Sequence, residues 1–284
     1  MTRIEIVERT ATLIGLRGLT ERTTNDYLRK CRKLLDWIDL HGIQYEEVTY
    51  DQLLQYILYL KNDLDYAPRT INSTISFIRF LFLYVFNRPF DAYTLPRCKV
   101  DTTIPDILSR KEVGLFLNSI KNPKYRAVFA VMYSCGLRVR EICALRYEDV
   151  SRERMKVHIR HGKNRSDRLV PISQAALNNL TQYWYACGKP RGWLFPGQKP
   201  DTHITVNSVQ RILKDTLKDL GWDDRKITSH TFRHSLGTHL YEDTHDLVYV
   251  QNVLGHKSIR STTVYITLSS DTRYPNPLDS IWRN

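Results

Sequence analysis

The stretch RMKVHIRHGKNRSDRLVPI, residues 154–172, is where the sequence leaves a helical pattern for an alternating one. Apolar and polar residues alternate up to a polar turn that contains Gly162, and apolar residues resume after that turn. The apolar positions are Met155, Val157, Ile159, Leu169, Val170 and Ile172. This pattern predicts a β-hairpin. Because the flanking segments repeat at helical spacing, the chain is predicted to be mainly α with a small β-hairpin or sheet.

Helices are predicted on both sides of this hairpin. The stretch LSRKEVGLFLNSI contains Ser109, and Glu112 stands three residues further on, which is the spacing of a capping box. A helix that begins with its own cap indicates the start of a domain. The helices predicted in this second part of the chain cover residues 109–121, 123–134, 138–146, 173–186, 205–220, 231–242 and 246–254.

The first hundred residues are predicted to form a separate helical bundle. Thr20 or Thr23 is a candidate N-cap, and Thr49 with Gln52 forms a second capping box. Apolar residues recur at helical spacing, and the end of the last segment is apolar enough to be buried. The four predicted helices lie near residues 3–15 and over 19–42, 49–62 and 67–87.

A proline-rich stretch, RPFDAYTLPRCKVDTTIP, separates these two parts. It has three prolines and no apolar period, as is typical of a linker. The sequence therefore predicts an N-terminal helical domain over residues 1–88, a linker over 89–105 and a C-terminal domain over 106–284.

The charge of the chain favours a polyanionic partner. The formal net charge is +12. Residues 1–100 carry 14 Lys and Arg against 12 Asp and Glu, whereas residues 101–284 carry 28 against 18. Fixed positive charge gains free energy when it displaces counterions from phosphates. The second domain is therefore predicted to carry most of the electrostatic attraction.

Targeting signals and disulfides are not indicated. The N-terminal stretch MTRIEIVERTATLIGL carries charges throughout, and the apolar run 77–86 is too short to span a bilayer and contains Arg79. The five cysteines are odd in number and include no C-x-x-C pair, which favours reduced thiols. We expect a cytoplasmic protein without a membrane segment.

Several chemically capable residues follow one another along the second domain. Arg138 follows a glycine, Lys163 lies at the tip of the hairpin, and His230 and Arg233 are one helical turn apart. Further on, His256 precedes Tyr265 by nine positions. Arginines can neutralise the oxygens of a phosphate, a lysine can protonate a leaving oxygen, and histidines can exchange a proton with a phenol. Such a set suits metal-free phosphoryl transfer through a covalent tyrosine intermediate.

The order of these residues resembles that of tyrosine recombinases of the phage integrase family, close to the Xer-like integrases. The resemblance covers essentially the whole chain. GLRVREICALRYEDV is similar to the first arginine box, with Arg138 and a supporting Glu141. The other boxes are HGKNRSDRLVPI with Lys163, HTFRHSLGTHL with His230 and Arg233, and LGHKSIRSTTVY with His256 and Tyr265.

The resemblance implies a SAM-like core-binding bundle, a catalytic domain, and site-specific DNA recombination. Tyr265 is then the nucleophile that forms a 3′-phosphotyrosine, without ATP, metal or other cofactor. Arg138 and Arg233 hold the phosphate, Lys163 protonates the 5′ oxygen, and His230 takes the phenolic proton. His256 orients phosphate or tyrosine.

The resemblance further implies partners: double-stranded DNA with specific sites, and a homotetramer that brings two sites together. It also implies that the C-terminal tail docks into a neighbouring subunit. The apolar residues of that tail are Leu278, Ile281 and Trp282.

Alternatives remain open at the level of sequence. Arg165 and Arg168 flank Lys163 closely enough to be the proton donor or a DNA-backbone contact. His230 and His234 have the spacing of a helical metal pair, although Thr231 stands where an H-E-x-x-H motif needs glutamate. Arg140 stands where the family more often has a small residue. The rival functions are a catalytically silent DNA-binding protein, a type IB-like topoisomerase and a metal-dependent nuclease.

Overall fold

The computed structural model describes residues 1–91, 93–101, 105–160, 167–199, 201–256 and 258–269. The chain divides into two compact units, Met1–Thr103 and Ile104–Asn284. The division falls within the predicted linker of residues 89–105. The bounds of the two domains stay a prediction.

The helices of the N-terminal unit begin where their capping residues place them. The predicted capping box at Thr49 is confirmed, because its hydroxyl accepts from the backbone N–H of Gln52 and the Gln52 side chain accepts in return. Thr20 caps the preceding helix. The elements are α1 (Arg3–Leu16), α2 (Glu21–Leu40), α3 (Tyr50–Asn62) and α4 (Pro68–Phe80), which continues as a π-helical turn over Leu81–Val85.

The core of this unit is built from the apolar faces of the four helices. Leu34 and Ile38 of α2 are fully buried, and Phe77 and Phe82 are buried at the end of α4 and in the π turn, as the apolar sequence there predicts. Truncation of one such phenylalanine to alanine costs about 3–5 kcal/mol through lost burial and the resulting cavity. This core belongs to the N-terminal unit alone.

The C-terminal unit combines helices with a small sheet. Ser109 and Glu112 form the predicted capping box at its first helix. The helices are α5 (Arg110–Ser119), α6 (Pro123–Cys135), α7 (Val139–Cys143), α8 (Gln174–Ala186), α9 (Val206–Asp219), α10 (Ser229–Thr244), α11 (Leu247–Leu254) and α12 (Val264–Leu268), and the strands are β1 (Val150–Ser151), β2 (Lys156–Ile159) and β3 (Arg168–Pro171).

The predicted hairpin is confirmed as the β2–β3 pair. The three strands are antiparallel in the order β1-β2-β3, with Val157 paired to Val170 across β2 and β3. Val157, Ile159 and Val170 point into the core, while the alternate positions of these strands are more exposed. β1 is absent from the sequence prediction because two residues are too few to show a period.

Helix α6 is the centre of the C-terminal core. Its run from Ala127 to Met132 is buried without interruption, and it packs against α8 and α10. Phe116, Phe129 and Phe232 meet ring to ring at centroid distances of 4.9–5.3 Å. This cluster fixes α10, which carries two of the predicted site residues, against α5 and α6.

Three further predictions concern one helix, the cysteines and membrane segments. The helix predicted over 138–146 is shorter in the structure, where α7 ends at Cys143. All five cysteines are free thiols. Within the described ranges, no helix combines the length and the apolar character needed to cross a bilayer.

Candidate active site

Arg138 is the N-cap residue of α7, two positions after the glycine that ends α6. Gly136 has φ of +60°, a left-handed conformation that ends α6 and turns the chain towards α7. The backbone N–H of Arg138 donates to Glu141 Oε2 at 2.9 Å, and its Nη1 donates to Oε1 at 2.8 Å. The guanidinium remains partly exposed while Glu141 is almost buried. The sequence-based expectation that Glu141 supports Arg138 is therefore confirmed.

Glu141 is gripped from its other side by Arg168, the first residue of β3. Nη1 of Arg168 donates to Oε1 at 3.0 Å, and Nη2 donates to Oε2 at 2.8 Å. Burial raises the pKa of Glu141, but hydrogen bonds and charge from Arg168 and Arg138 outweigh it and bring the pKa to about 2. Glu141 is thus ionised throughout the neutral range although it is nearly buried, because it lies between two guanidiniums.

Arg233 is buried on α10 and is bound by backbone carbonyls. Its Nη1 donates to the carbonyl of Gly136 at 2.6 Å, and its Nη2 donates to the carbonyl of Leu254. These carbonyls lie at the C-terminal ends of α6 and α11, where helices carry partial negative charge and lack intrahelical partners. Burial first, and then the like charge of Arg138, lower the pKa of Arg233 to about 10, so the side chain stays cationic at neutral pH.

Tyr265 lies on α12 in a closed pocket. Its side chain is 0% exposed, and its hydroxyl has no hydrogen-bond partner among the described residues. The ring lies directly against Gly237 of α10, where an added Cβ would stand 2.5–2.8 Å from three ring atoms. Burial raises the pKa of Tyr265 to about 12, and the nearby charges of Arg233 and Arg138 oppose that rise. The phenol is therefore protonated at rest.

His256 stacks on the Tyr265 ring. The ring centroids are 6.1 Å apart and the planes are inclined by 11°. His256 Nδ1 and the hydroxyl of Thr262 are 3.0 Å apart, so the imidazole orientation is set by a residue on the same loop. Burial, together with the charges of Arg233 and Arg138, lowers the pKa of His256 to about 4. His256 is therefore neutral around pH 7.

The structure brings four of the six predicted residues into one cluster. Arg138, Arg233, His256 and Tyr265 interact electrostatically or by ring stacking. His230 is exposed at the N-terminal end of α10, although Arg233 three residues later is buried. It connects to the cluster electrostatically through His234, whose ring centroid is 6.0 Å from that of Tyr265.

Three predictions fall partly or wholly outside the described residues. Lys163 and Arg165, predicted at the tip of the hairpin, lie outside the described residues, as do the tail residues Leu278, Ile281 and Trp282. Arg168 is described, and its guanidinium is engaged with Glu141. Of the two alternatives to Lys163 that the sequence left open, Arg168 therefore faces inwards rather than towards a partner.

The remaining histidines of α10 are built into the helix packing. His239 is buried, and its Nδ1 lies 2.7 Å from the hydroxyl of Tyr133 on α6. His234 lies beside Tyr265. In the part of the chain that the structure describes, no group of three or more histidine, cysteine or acidic residues is arranged to hold a metal ion. Arg140, the departure from the family pattern, is exposed.

The sequence did not predict the roles of three residues that shape the site without carrying its chemistry. Arg168 grips Glu141, Gly237 leaves room for the tyrosine ring, and Thr262 orients His256. A glycine in the middle of the α10 pattern was a readable signal, because such a residue costs helix stability unless something packs closely on it. No comparable signal marks Arg168 or Thr262.

Comparisons with known proteins agree with this arrangement. A profile of the phage integrase family matches residues 107–271, and a profile of the phage integrase N-terminal SAM-like domain matches residues 6–92. A tyrosine recombinase of Pseudothermotoga lettingae is 30% identical over 269 residues, which cover 92% of this chain and 93% of that protein. The tyrosine recombinase XerA of Pyrococcus furiosus is 28% identical over 272 residues, which cover 94% and 91%.

A solved structure shares the fold at lower sequence similarity. The integrase of transposon Tn1549, in complex with transposon right end DNA, superimposes with a TM-score of 0.75 at 16% identity over 97% of this chain and 98% of that chain. The present chain belongs to the phage integrase family. It is a tyrosine-type site-specific recombinase, an enzyme that cuts and rejoins DNA, and the predicted fold class of two largely helical domains is confirmed.

Proposed function

We propose that Tyr265 is the nucleophile of this recombinase and that Arg138 and Arg233 bind the phosphate that it attacks. The observation that carries this assignment is the packing of the buried Tyr265 ring against His256, next to two guanidiniums. Two fixed cations beside a phenol suit a reaction in which negative charge builds on phosphate oxygens. The expectation from sequence named the same residues.

The cleavage step exchanges one phosphodiester bond for another. The oxygen of Tyr265 attacks phosphorus, the bond from phosphorus to the 5′ oxygen breaks, and a 3′-phosphotyrosine and a 5′-hydroxyl result. His230 accepts the phenolic proton, and Lys163 supplies a proton to the departing oxygen. Because one ester replaces another, a 5′-hydroxyl from a second strand can reverse the step without ATP or metal.

The two arginines are fixed before DNA arrives. Arg233 is held by two backbone carbonyls, and Arg138 is held by Glu141. Side chains that are already oriented lose little conformational freedom when they bind phosphate. The neutral His256 can orient the tyrosine or a phosphate oxygen without adding charge.

The elevated pKa of Tyr265 makes a base necessary. Burial keeps the phenol protonated far above neutral pH. A phosphate placed between Arg138 and Arg233 adds hydrogen-bond acceptors beside the hydroxyl. Deprotonation by His230 then coincides with attack, so the nucleophile is activated only when a substrate is present.

The partners of the active enzyme follow from the same assignment. The substrate is double-stranded DNA with specific recombination sites, and the excess positive charge of residues 101–284 supplies attraction to its backbone. A homotetramer holds two sites together, with the C-terminal tail of each subunit docked on a neighbour. The proposed place of action is the cytoplasm.

A suicide DNA substrate, nicked near the cleavage position so that the short leaving strand diffuses away, tests the assignment. We expect a covalent protein–DNA adduct that resists detergent, and peptide mass spectrometry should locate the nucleotide on Tyr265. Tyr265→Phe should abolish the adduct and keep DNA binding by gel shift, while Tyr249→Phe, at an exposed tyrosine of α11, should form the adduct normally. Adduct formation should persist in chelator; a nucleotide linked to another residue, or no adduct at all, would contradict the proposal.

A further inference from the structure

A second arginine–carboxylate unit in the same domain shows what is particular about Glu141. Asp149, like Glu141, caps the backbone N–H of the residue three positions before it, here Arg146, at 2.8 Å. Asp149 is also buried and is held by Arg160, at the end of β2, through a 2.6 Å bond. Both carboxylates therefore accept from a backbone N–H three positions earlier and bind an arginine further along the chain.

Only one of these two arginine–carboxylate pairs, the one formed by Arg168 and Glu141, reaches the candidate active site. In the Asp149 unit, Arg160 extends to the exposed Glu148 and is itself substantially exposed. In the Glu141 unit, Arg168 is 14% exposed and both of its side-chain hydrogen bonds within the described residues go to Glu141. Its Nε is buried and has no partner there. Arg168 is thus committed to a single carboxylate.

The stem of Arg168 also crosses the loop that carries His256. A Cβ added to Gly255 would stand 2.6 Å from Cδ and 2.9 Å from Nε of Arg168. Gly255 has φ of +64°, so both its conformation and its lack of a side chain are used here. Arg168 consequently contacts the α7 segment that presents Arg138 and the loop that presents His256.

We propose that Arg168 is a positioning residue for DNA cleavage, which holds Glu141 from the strand side and thereby fixes the Arg138 guanidinium for the phosphate. The forked contact sets both carboxylate oxygens, and each of those oxygens also accepts one bond from Arg138. A bidentate guanidinium defines the plane of a carboxylate, whereas a lysine can supply only a point charge. This assignment rests on the proposed role of Arg138.

The test compares Arg168→Met, Arg168→Lys and the matched control Arg160→Met in the full-length chain. The rate of adduct formation on the suicide substrate at saturating DNA is measured beside the Kd for DNA and the Tm. Misplacing a catalytic group by about 1 Å can cost about 10²-fold, so we expect R168M to slow cleavage by about 10- to 100-fold with Kd within about 3-fold. R168K should fall between R168M and the wild type, and R160M should cleave within about 3-fold of the wild-type rate.

A double variant separates positioning from general support of the fold. If Arg168 acts through Glu141, the rate of E141Q/R168M should match that of the slower single variant instead of the product of the two losses. R168M leaves Glu141 as a buried carboxylate paired with Arg138 alone. E141Q/R168M removes that charge, so it stays testable if R168M fails to fold. Multiplicative losses, or wild-type cleavage by R168K and E141Q/R168M, would overturn the proposal.

The pH profile supplies a readout that a purely structural arginine would not move. Within the described residues, the charged groups that face Glu141 are Arg138 of its own segment, Arg168 of β3 and Arg233 of α10. Without Arg168 the pKa of Glu141 rises, so protonation weakens its grip on Arg138 as the pH falls. R168M should lose cleavage rate more steeply than the wild type between pH 8 and pH 5, and E141Q in the same background should remove that excess slope. Equal slopes would overturn the proposal, whereas a wild-type chain that forms no adduct on Tyr265 would contradict the proposed function instead.

Discussion

The two units of the chain bury charge in different ways. In the N-terminal unit, the buried cation Lys30 bonds to Asp26 and Ser73, so its charge is neutralised on the spot. In the C-terminal unit, the buried Arg233 donates to two backbone carbonyls, and burial lowers its pKa. The first arrangement completes itself, whereas the second leaves positive charge only partly compensated.

Helix α10 holds more buried polar side chains than the whole described part of the N-terminal unit. Among the described residues, the buried polar side chains of the N-terminal unit are Thr10, Lys30 and Thr74. Those of α10 alone are Ser229, Thr231, Arg233, Ser235, Thr238 and His239. Buried polar groups cost free energy unless they are fully paired, so a core that keeps a partly compensated cation is built for something besides stability. We infer that the phosphate of the substrate supplies the missing negative charge.

The largest expected effect comes from replacing Arg233, the buried cation of the C-terminal unit. Arg233→Met should lower the rate of adduct formation by about 10²- to 10³-fold, because a fixed donor to the developing charge is lost. Its Tm should change little, since the relief of a buried cation opposes the loss of two hydrogen bonds to carbonyls. Single-turnover cleavage and calorimetry measure the two effects.

Gly237→Ala should break the contact that closes the tyrosine pocket. The new Cβ would overlap the Tyr265 ring, so we expect adduct formation to slow by about 10-fold or more and stability to drop by about 1–3 kcal/mol. Gly15→Ala, in α1 of the N-terminal unit, meets nothing within 4 Å and should raise stability by about 0.5–1 kcal/mol without affecting cleavage. Equal effects of the two changes would show that Gly237 is only a helix residue.

Lys30→Met should lower stability without slowing cleavage, the reverse of the result expected for Arg233→Met. Asp26 loses its buried partner, so urea unfolding should show a destabilisation of about 1–2 kcal/mol, while cleavage at saturating DNA keeps the wild-type rate. Arg29, which contacts the other oxygen of Asp26 from an exposed position, serves as the control. Arg29→Met should cost less than about 0.5 kcal/mol. A cleavage defect in K30M would contradict the separation of the two units.

The smallest expected effect is on the loss of thermal stability at acidic pH. The pKa of His256 is lowered to about 4, chiefly by burial, and the pKa values of His234 and His239 are lowered for the same first reason. Histidines that are neutral in the native state but protonate when unfolded reduce stability as the pH falls from about 6.5 through the folded pKa. His256→Gln should therefore make the loss of Tm between pH 6.5 and pH 4 shallower. An unchanged slope would mean that its burial does not resist protonation.

Features that depend on a few neighbouring residues could be predicted from the sequence. Helix starts at Thr49 and Ser109 were readable because a cap lies within a few residues of the backbone groups that it satisfies. The hairpin was readable because Val157 and Val170 belong to a local alternation. The helix that carries Tyr265 was not predicted, because α12 has only five residues and gains its order from packing against α10.

For the candidate site, the residues could be predicted from the sequence but their surroundings could not. The residue types and their order along the chain were enough to name Arg138, Arg233, His256 and Tyr265. Their surroundings were not, because the partners of Arg233 lie 97 and 21 residues away in sequence, at the ends of two other helices. The sequence left Arg168 as a possible proton donor or DNA-backbone contact, whereas in the structure its guanidinium binds Glu141.

The amino-acid sequence by itself determined the longer helices, the hairpin and the set of chemical groups, because these depend on periodicity, caps and residue types over a few neighbouring positions. Tertiary structure alone decided that the phenol of Tyr265 is enclosed, that the charge of Arg233 is held by helix ends and that Arg168 faces Glu141. Those facts depend on which distant surfaces pack together, and burial and electrostatic coupling are set by that packing.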